Sequence, residues 1–396
     1  MLHIGICIGS FKFDLDVKCM LVVSQNVTPF YNFDFFFFFA GNLAANYPPP
    51  YVIARFCVFD SCQSYGAFSA FRSRGSVQTC YFAGCGRSAV VAQDCAKLSI
   101  NHCEFAQTDR SEQTISSSHS DITLSGCYFH GLLQPELEKG SRQQAQAVAL
   151  TCKSVANVTK NYFFKTGNGI SAIDADLYCA QNLILNCCQH GNHQQVQGQQ
   201  QQWKSTLGLF TALCIKVKGN KIQIVNNHLK NCDVGIYVGQ GASPAIKDNN
   251  IEASFFTGVF VECESKPNLV NNHFNGGAKI LHKDQNSSSS IANNTGKGLG
   301  ILFISNSCGL VGKNHLHDFE VSPIMVFSTC HPLLKDNVFD NIQVDDEKQK
   351  SVEKQMLEQF QAELFAKDEY FYIVDSEVTE KELHQVILSK KTSSTI

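Results

Sequence analysis

Residues 231–251 read NCDVGIYVGQGASPAIKDNNI, residues 257–274 read TGVFVECESKPNLVNNHF, and residues 321–339 read VSPIMVFSTCHPLLKDNVF. The three stretches share one grammar. Gly or Pro is followed by alternating β-branched residues and by a turn built on small residues or Pro. An aliphatic residue comes next, with Asn three positions after it. With that Asn as marker, Asn227, Asn249, Asn272, Asn294, Asn314 and Asn337 are separated by 22, 23, 22, 20 and 23 residues. A fixed period of this length is the mark of a solenoid.

Working outward, the same phrase occurs as VTKNYF at Asn161 and LILNCC at Asn186. Nearer the N-terminus the marker becomes cysteine: VQTCYF, INHCEF and LSGCYF place Cys80, Cys103 and Cys127 in the slot, and FCVFD supplies Cys57. A second cysteine column, Cys62, Cys85 and Cys232, lies five positions further on. Three short strands joined by turns bring a chain back above its start, one interstrand distance of about 4.8 Å higher, so equivalent side chains stack. An inward Asn can then bond the Asn above and below it, whereas Cys is expected to fill the column as a small apolar group without hydrogen bonds. GIYV, GVFV and GILFI are strand-like, and neither a Leu-rich consensus nor helical periodicity is present. The sequence therefore predicts an all-β solenoid, a right-handed parallel β-helix whose twelve markers imply about twelve coils over residues 51–343.

Two steps are too long: Cys127 to Asn161 spans 34 residues and Asn186 to Asn227 spans 41. The excess falls in HGLLQPELEKGSRQQAQ and QHGNHQQVQGQQQQWK, insertions near 130–146 and 189–206. Both begin just after a marker strand, so both should leave the same turn, with bases two coils or about 10 Å apart. Solenoids commonly place binding function on insertions along one face. Trp203 near the tip of the longer one, with His190, His193 and Gln134, is the predicted contact set for a protein partner. The competing reading is a neutral, Gln-rich, disordered insertion.

The repeat is lost over 344–396, where Val352, Met356, Phe360 and Leu364 fall four apart on one helical face. YFYIV at 370–374 is strand-like, and Thr379 with Glu382 forms a capping box before a last helix. This segment is expected to be a small α/β cap, because an open solenoid end templates aggregation. Residues 1–50, including FDFFFFFAGN and YPPPY, match neither the strand grammar nor a cap, and are read as unassigned or spurious.

A net charge of −3 and a pI near 6.5 give no basic footprint, which argues against nucleic acid as a partner. No apolar run approaches the roughly 18 residues of a membrane span, and the opening MLHIGICIGSFKFD lacks a basic n-region. The expectation is a soluble cytoplasmic or nuclear protein, its 18 cysteines reduced and packed. In CCQHGNH, Cys187, Cys188, His190 and His193 are irregularly spaced and no second ligand pair accompanies them, so no metal and no cofactor is predicted. Asp174 with Asp176, and Glu262 with Glu264, stand two apart near strand ends, where they would share a face as acid and base. Ordinary turn acids do the same. His228, His273 and His315 follow marker residues and are expected to point to solvent. No phosphate loop, nucleophile elbow or zincin helix is present.

GIYVGQGASPAIKDNNI and GVFVECESKPNLVNNHF resemble the right-handed β-helix repeats of F-box-type proteins and of the SHC SH2-domain-binding spindle protein. Related coils occur in periplasmic copper-maturation proteins and alginate epimerases. The likeness covers 220–341 most closely and 51–186 more loosely. For the intracellular members it implies protein binding, in some cases as substrate receptors; for the extracellular members it implies action on polysaccharides. No F-box is recognisable before Tyr51, and the clustered Asp with His or Arg of epimerase and pectinase sites is missing. The leading expectation is an intracellular interaction or substrate-recognition module. The alternative is a carbohydrate-active lyase, hydrolase or epimerase that uses the acidic residues above.

Overall fold

The computed structural model describes residues 19–21, 35–40, 51–60, 62, 65–70, 72–107, 113–131, 146–187, 211–217, 221–277, 298–327, 329–342 and 371–374. Each coil is three strands in fixed order. A strand of four to six residues in sheet A is followed by one in sheet B, and then by a short strand in sheet C, as in Tyr65–Ala70, Arg74–Gln78 and Tyr81–Ala83. Strands of neighbouring coils pair in parallel with their equivalents, for example Arg74↔Lys97 in sheet B and Tyr81↔Glu104 in sheet C. No helix occurs among the described residues.

The chain divides into two compact units, one of residues 1–187 with 220–222 and the other of 188–219 with 223–396. In the first, six coils run from Phe35–Ala40 in sheet A to Leu183–Leu185 in sheet C. In the second, five coils run from Thr211–Lys216 to Val338–Asp340. The count is one fewer than the sequence implied.

The reason lies in two markers. The backbone N–H and the amide Nδ2 of Asn161 donate to Oδ1 of Asn182, at 2.9 and 3.0 Å, so Asn182 and not Asn186 is the rung. Leu183–Leu185 is itself the sheet C strand, paired with Tyr162–Phe164, and it leaves Asn186 half-buried in the following turn with φ +58°. Asn272 donates directly to Asn314 Oδ1, across 42 residues, so no rung exists between them. Asn294 falls in 278–297, outside the described residues, and that span is a third insertion the sequence reading took for a coil.

The eleven true markers occupy one kind of two-residue turn between sheets B and C. The residue before each marker is left-handed, from Phe56 (φ 53°) to Asp336 (φ 54°). This conformation throws the marker inward, where its side chain meets backbone groups that the strand ladders leave over. Cys57, Cys80, Cys103 and Cys127 stand in the slot, but not as inert filler. Cys80 N–H donates to Cys103 Sγ at 3.5 Å, and Cys103 Sγ donates to Val77 O at 3.6 Å. These are longer, weaker copies of the bonds the asparagines make.

Beside this ladder in the first unit runs a column of phenylalanines, Phe59, Phe82, Phe105, Phe129 and Phe163, stacked at centroid distances of 4.5, 4.9, 4.7 and 4.6 Å. All five are fully buried. Offset rings at this separation add about 0.5–1.5 kcal/mol per pair beyond burial.

Sheet A is buried on both faces in most coils, as in Ser88–Gln93, Thr257–Val261 and Leu299–Phe303. That explains the continuous apolar runs in its sequence. It also explains the Gly or Pro that opens each phrase. A Cβ on Gly258 would sit 2.7 Å from Gly300 O, and one on Gly300 would sit 2.4 Å from Pro323 O.

The run Phe35–Ala40, which the strand grammar did not recognise, is a sheet A strand parallel to Tyr65–Ala70. Cys19–Leu21 pairs antiparallel to it. At the other end Phe371–Val374, within the strand-like YFYIV, pairs antiparallel to Ile324–Phe327. The predicted helices of the cap lie outside the described residues.

Candidate functional site

Of the predicted contact residues, Gln134, His190, His193 and Trp203 lie outside the described residues. Their flanks are described. One insertion leaves after Tyr128–Gly131 and the other after Leu183–Leu185 and Cys187, both on the sheet C to sheet A turn, as expected. Only the strand Tyr162–Phe164 separates these two strands in sheet C, so their ends are two strand spacings, about 10 Å, apart. Cys187 is fully buried against Thr166 Oγ1 at 3.3 Å, which places it in the core.

Neither predicted carboxylate pair shares a strand face. Asp174 is in a left-handed turn (φ +54°) and Asp176 opens the next strand, where its Oδ1 accepts the Lys221 backbone N–H at 2.7 Å. Thr257–Val261 ends before Glu262, and Glu264 sits in the following turn with φ +58°. The extended geometry that would have aligned each pair is interrupted by the sheet A to sheet B turn.

Glu262 instead meets Tyr237, whose hydroxyl donates to Oε1, while Lys216 Nζ stands 5.2 Å from the Tyr237 ring centroid. Tyr237 lies across Gly239, where a Cβ would strike its hydroxyl at 2.5 Å. Burial, and the hydrogen bond to Glu262, push the phenol well above its usual range. Tyr237 is therefore a fixed donor near neutral pH. Sequence reasoning missed this cluster because its members lie in three different coils.

The outward face of sheet C differs between the units. In the first it carries Tyr81, Glu104, Tyr128 and Tyr162 in one column, with His130 and Phe164 in the next. Tyr128 and Tyr162 stack at 5.1 Å, His130 lies 4.9 Å from Tyr128, and Phe164 lies 6.1 Å from Tyr162. His130 Nε2 pairs with Glu104 Oε1 at 3.0 Å, and Lys165 Nζ sits 5.3 Å from the Phe164 ring. Outward positions of a half-exposed sheet are ordinarily polar. This row of rings was legible in CYFH and NYFF, where the residues flanking the inward Phe are themselves aromatic.

In the second unit the same face carries His228, Asn250, His273 and His315 in one column, and Lys230, Glu252, Asn275, His317 and Asp340 in the other. The histidines point outward, as expected. Because residues 278–297 are an insertion, His273 and His315 are direct neighbours, and the HLH spacing adds His317, which sequence reasoning passed over. His228 Nε2 lies 3.1 Å from Glu252 Oε1, an ion-pair distance without hydrogen-bond alignment. Burial raises Glu252, but hydrogen bonds from Lys230 and Asn250 and the adjacent His228 outweigh it and hold the carboxyl below its usual range. Burial, with His317 and His315 alongside, lowers His273.

The stacked parallel sheets and their repeating inward ladder agree with a family model described as right handed beta helix region, which matches residues 44–195 and 213–353. The chain belongs to this family. The two matches leave out residues 196–212, which reach from within the second insertion to the start of the strand Thr211–Lys216, and the first begins before Tyr51. No curated protein and no solved structure matches the chain significantly. Among the described residues of the β-helix no helix is long and apolar enough to cross a membrane. Fifteen described cysteines, from Cys57 to Cys330, form no disulfide. The hydrogen bond with Cys127 raises Cys103 to about 12, that with Cys103 raises Cys80 to about 11, and burial raises Cys179 to about 12.

Proposed function

We propose that the protein is a recognition module that binds a protein partner on the outer face of sheet C in its first unit. One observation carries the reading: Tyr128 and His130 stand on the strand from which the first insertion leaves, and Tyr162 and Phe164 on the strand between it and the one from which the second leaves. Rigid aromatic rings lose little entropy on contact and are the side chains most enriched at the energetic centres of interfaces. Glu104 and Lys165 beside them supply charges of both signs for a polar rim. A face of this kind recognises a surface without performing chemistry on it.

The test is affinity capture followed by a direct binding isotherm with the captured protein. Tyr162→Ser with Phe164→Ser should leave the thermal midpoint within a few degrees and weaken binding on the order of 1,000-fold, the scale of two lost interface anchors of about 2 kcal/mol each. Capture that is indifferent to both substitutions and to deletion of 132–145 overturns the reading.

The carbohydrate-active alternative has one observation in its favour, the Lys216, Tyr237 and Glu262 cluster, which places an acid, a fixed donor and a cation together. Glu262→Gln would then abolish turnover of a soluble polysaccharide, and retention of the polysaccharide on the Tyr162 face would replace protein capture.

A further inference from the structure

We infer that His273, His315 and His317 form a binding site for a late first-row divalent cation, with zinc as the physiological representative. The inference stands independently of the partner-binding reading and concerns the second unit alone.

Three features of the cluster point the same way. The first is spacing: ring centroids are 5.1 Å apart for His273 and His315, 4.5 Å for His273 and His317, and 5.1 Å for His315 and His317. A metal bound at the usual nitrogen distance of about 2.0–2.1 Å stands about 3.2 Å from each imidazole centroid, so ligands at 90° to 109° have centroids about 4.5–5.2 Å apart. The observed separations span that interval.

The second is polarity. One nitrogen of each ring faces an oxygen: His273 Nδ1 faces Asn250 Oδ1 at 3.2 Å, His315 Nε2 faces Asp340 Oδ2 at 2.6 Å, and His317 Nδ1 faces Asp318 Oδ2 at 2.7 Å. Asn250 turns its Oδ1 to His273 because its Nδ2 donates to Glu252 at 2.6 Å. Each oxygen draws the N–H to the anchored nitrogen and leaves the other as a lone pair, at His273 Nε2, His315 Nδ1 and His317 Nε2. Ligating histidines are held in this way by carboxylates and amides behind them. Asp318 is itself fixed by Asn341 Nδ2 at 2.5 Å.

The third is an unexplained atom. His317 Nε2 is buried and has no hydrogen-bond partner. A buried polar atom without a partner calls for a ligand or an explanation.

Among the described residues no group of three His, Cys, Asp or Glu side chains could hold a metal ion as the side chains stand. The rings are tilted against one another by 36–60°. Their spacing is in place, and bringing the three free nitrogens to one point requires the rings to turn about χ2, a broad torsion, as far as the anchoring oxygens follow them. Three protein ligands would leave one position for water or an anionic ligand, the ligand count of an open site.

The experiment titrates Co²⁺, then Zn²⁺ in competition, into the metal-free full-length protein under reducing conditions. The expected result is one equivalent of Co²⁺ with visible d–d bands, no near-ultraviolet thiolate charge-transfer band, and displacement by Zn²⁺. His315→Gln and His317→Gln should each weaken binding by on the order of 100-fold, and Asp340→Asn by about 10–100-fold. His190→Gln with His193→Gln should leave binding unchanged. His315 is partly exposed, so His315→Gln is the variant to rely on if His317→Gln unfolds by circular dichroism. Absence of stoichiometric binding, a thiolate band in place of the d–d bands, or binding unchanged in His315→Gln overturns the inference.

Discussion

Replacing Asn272 with Ala tests the ladder at its centre. Its Nδ2 donates to Ile246 O at 2.9 Å and to Asn314 Oδ1 at 3.0 Å, and its Oδ1 accepts Asn249 N–H and Asn249 Nδ2, each at 3.0 Å. After truncation Asn249 Nδ2 still reaches Ile224 O and Lys247 O, and Asn314 Oδ1 still accepts the backbone N–H of residue 272. Asn249 N–H and the second lone pair of Ile246 O are left without this partner in a column only about 1 % exposed. At about 1–3 kcal/mol for each of these two buried groups deprived of its bond, Asn272→Ala should cost about 2–6 kcal/mol. That is a large share of the roughly 5–15 kcal/mol that holds a domain together. Asn272→Cys should cost about half as much, because the slot itself shows a thiol accepting the same N–H at 3.4–3.5 Å and donating to the same kind of carbonyl at 3.6–3.7 Å. Urea unfolding followed by far-ultraviolet circular dichroism gives both values. Equal costs for Ala and Cys would show that the thiol recovers none of the amide's bonds, and the hydrogen-bond account of the cysteine rungs would fail.

Further outcomes follow from the same coordinates. Phe105→Ala should destabilise by about 3–5 kcal/mol and Phe105→Leu by clearly less, read from denaturant midpoints, since only Ala opens a cavity between Phe82 and Phe129. Gly300→Ala should be among the most damaging single-methyl additions, lowering the yield of folded protein, because its Cβ would stand 2.4 Å from Pro323 O. The lowered Glu252 carboxyl contributes stability that is full above its unfolded value near 4.5 and lost as pH falls through the lower folded value. Glu252→Gln should therefore reduce the urea midpoint at pH 7 and lose that difference toward pH 3. Thiol labelling at pH 8 should modify the exposed Cys95 and Cys152 in the native protein and reach Cys103 and Cys179 only on unfolding, which mass spectrometry of labelled peptides resolves.

The architecture was legible because a solenoid writes its three-dimensional neighbours into the sequence at a constant interval, and inward columns tolerate few residue types. Where the interval failed, the reason was local. LILNCC satisfies the marker phrase at Asn186, yet the apolar run Leu183–Leu185 is a sheet C strand, and the true rung, Asn182, is preceded three positions earlier by Cys179 in place of an aliphatic residue. Asn294 sits at a plausible distance from both neighbours only because the third insertion is about one coil long. The left-handed residue before each marker could not be read from identity, since Phe56, Thr79 and Lys160 occupy it as readily as Gly126 and Asn226. The candidate sites were less visible for a different reason. They lie on outward columns, where spacing of about 22 residues brings together side chains that no local motif groups. The acidic pairs failed because two residues apart implies one face only within a strand, and Asp174 and Glu264 are in turns.

At each end the chain reverses direction, with Cys19–Leu21 laid against Phe35–Ala40 and Phe371–Val374 against Ile324–Phe327. An antiparallel edge presents its donors and acceptors in alternating close and wide pairs, whereas the first strand of another copy would seek evenly spaced, slanted partners. These two reversals act as full stops. They cover the two edges of sheet A, where a second copy would otherwise continue the parallel ladder, and a chain cut before Phe371 would be the one to watch for filaments.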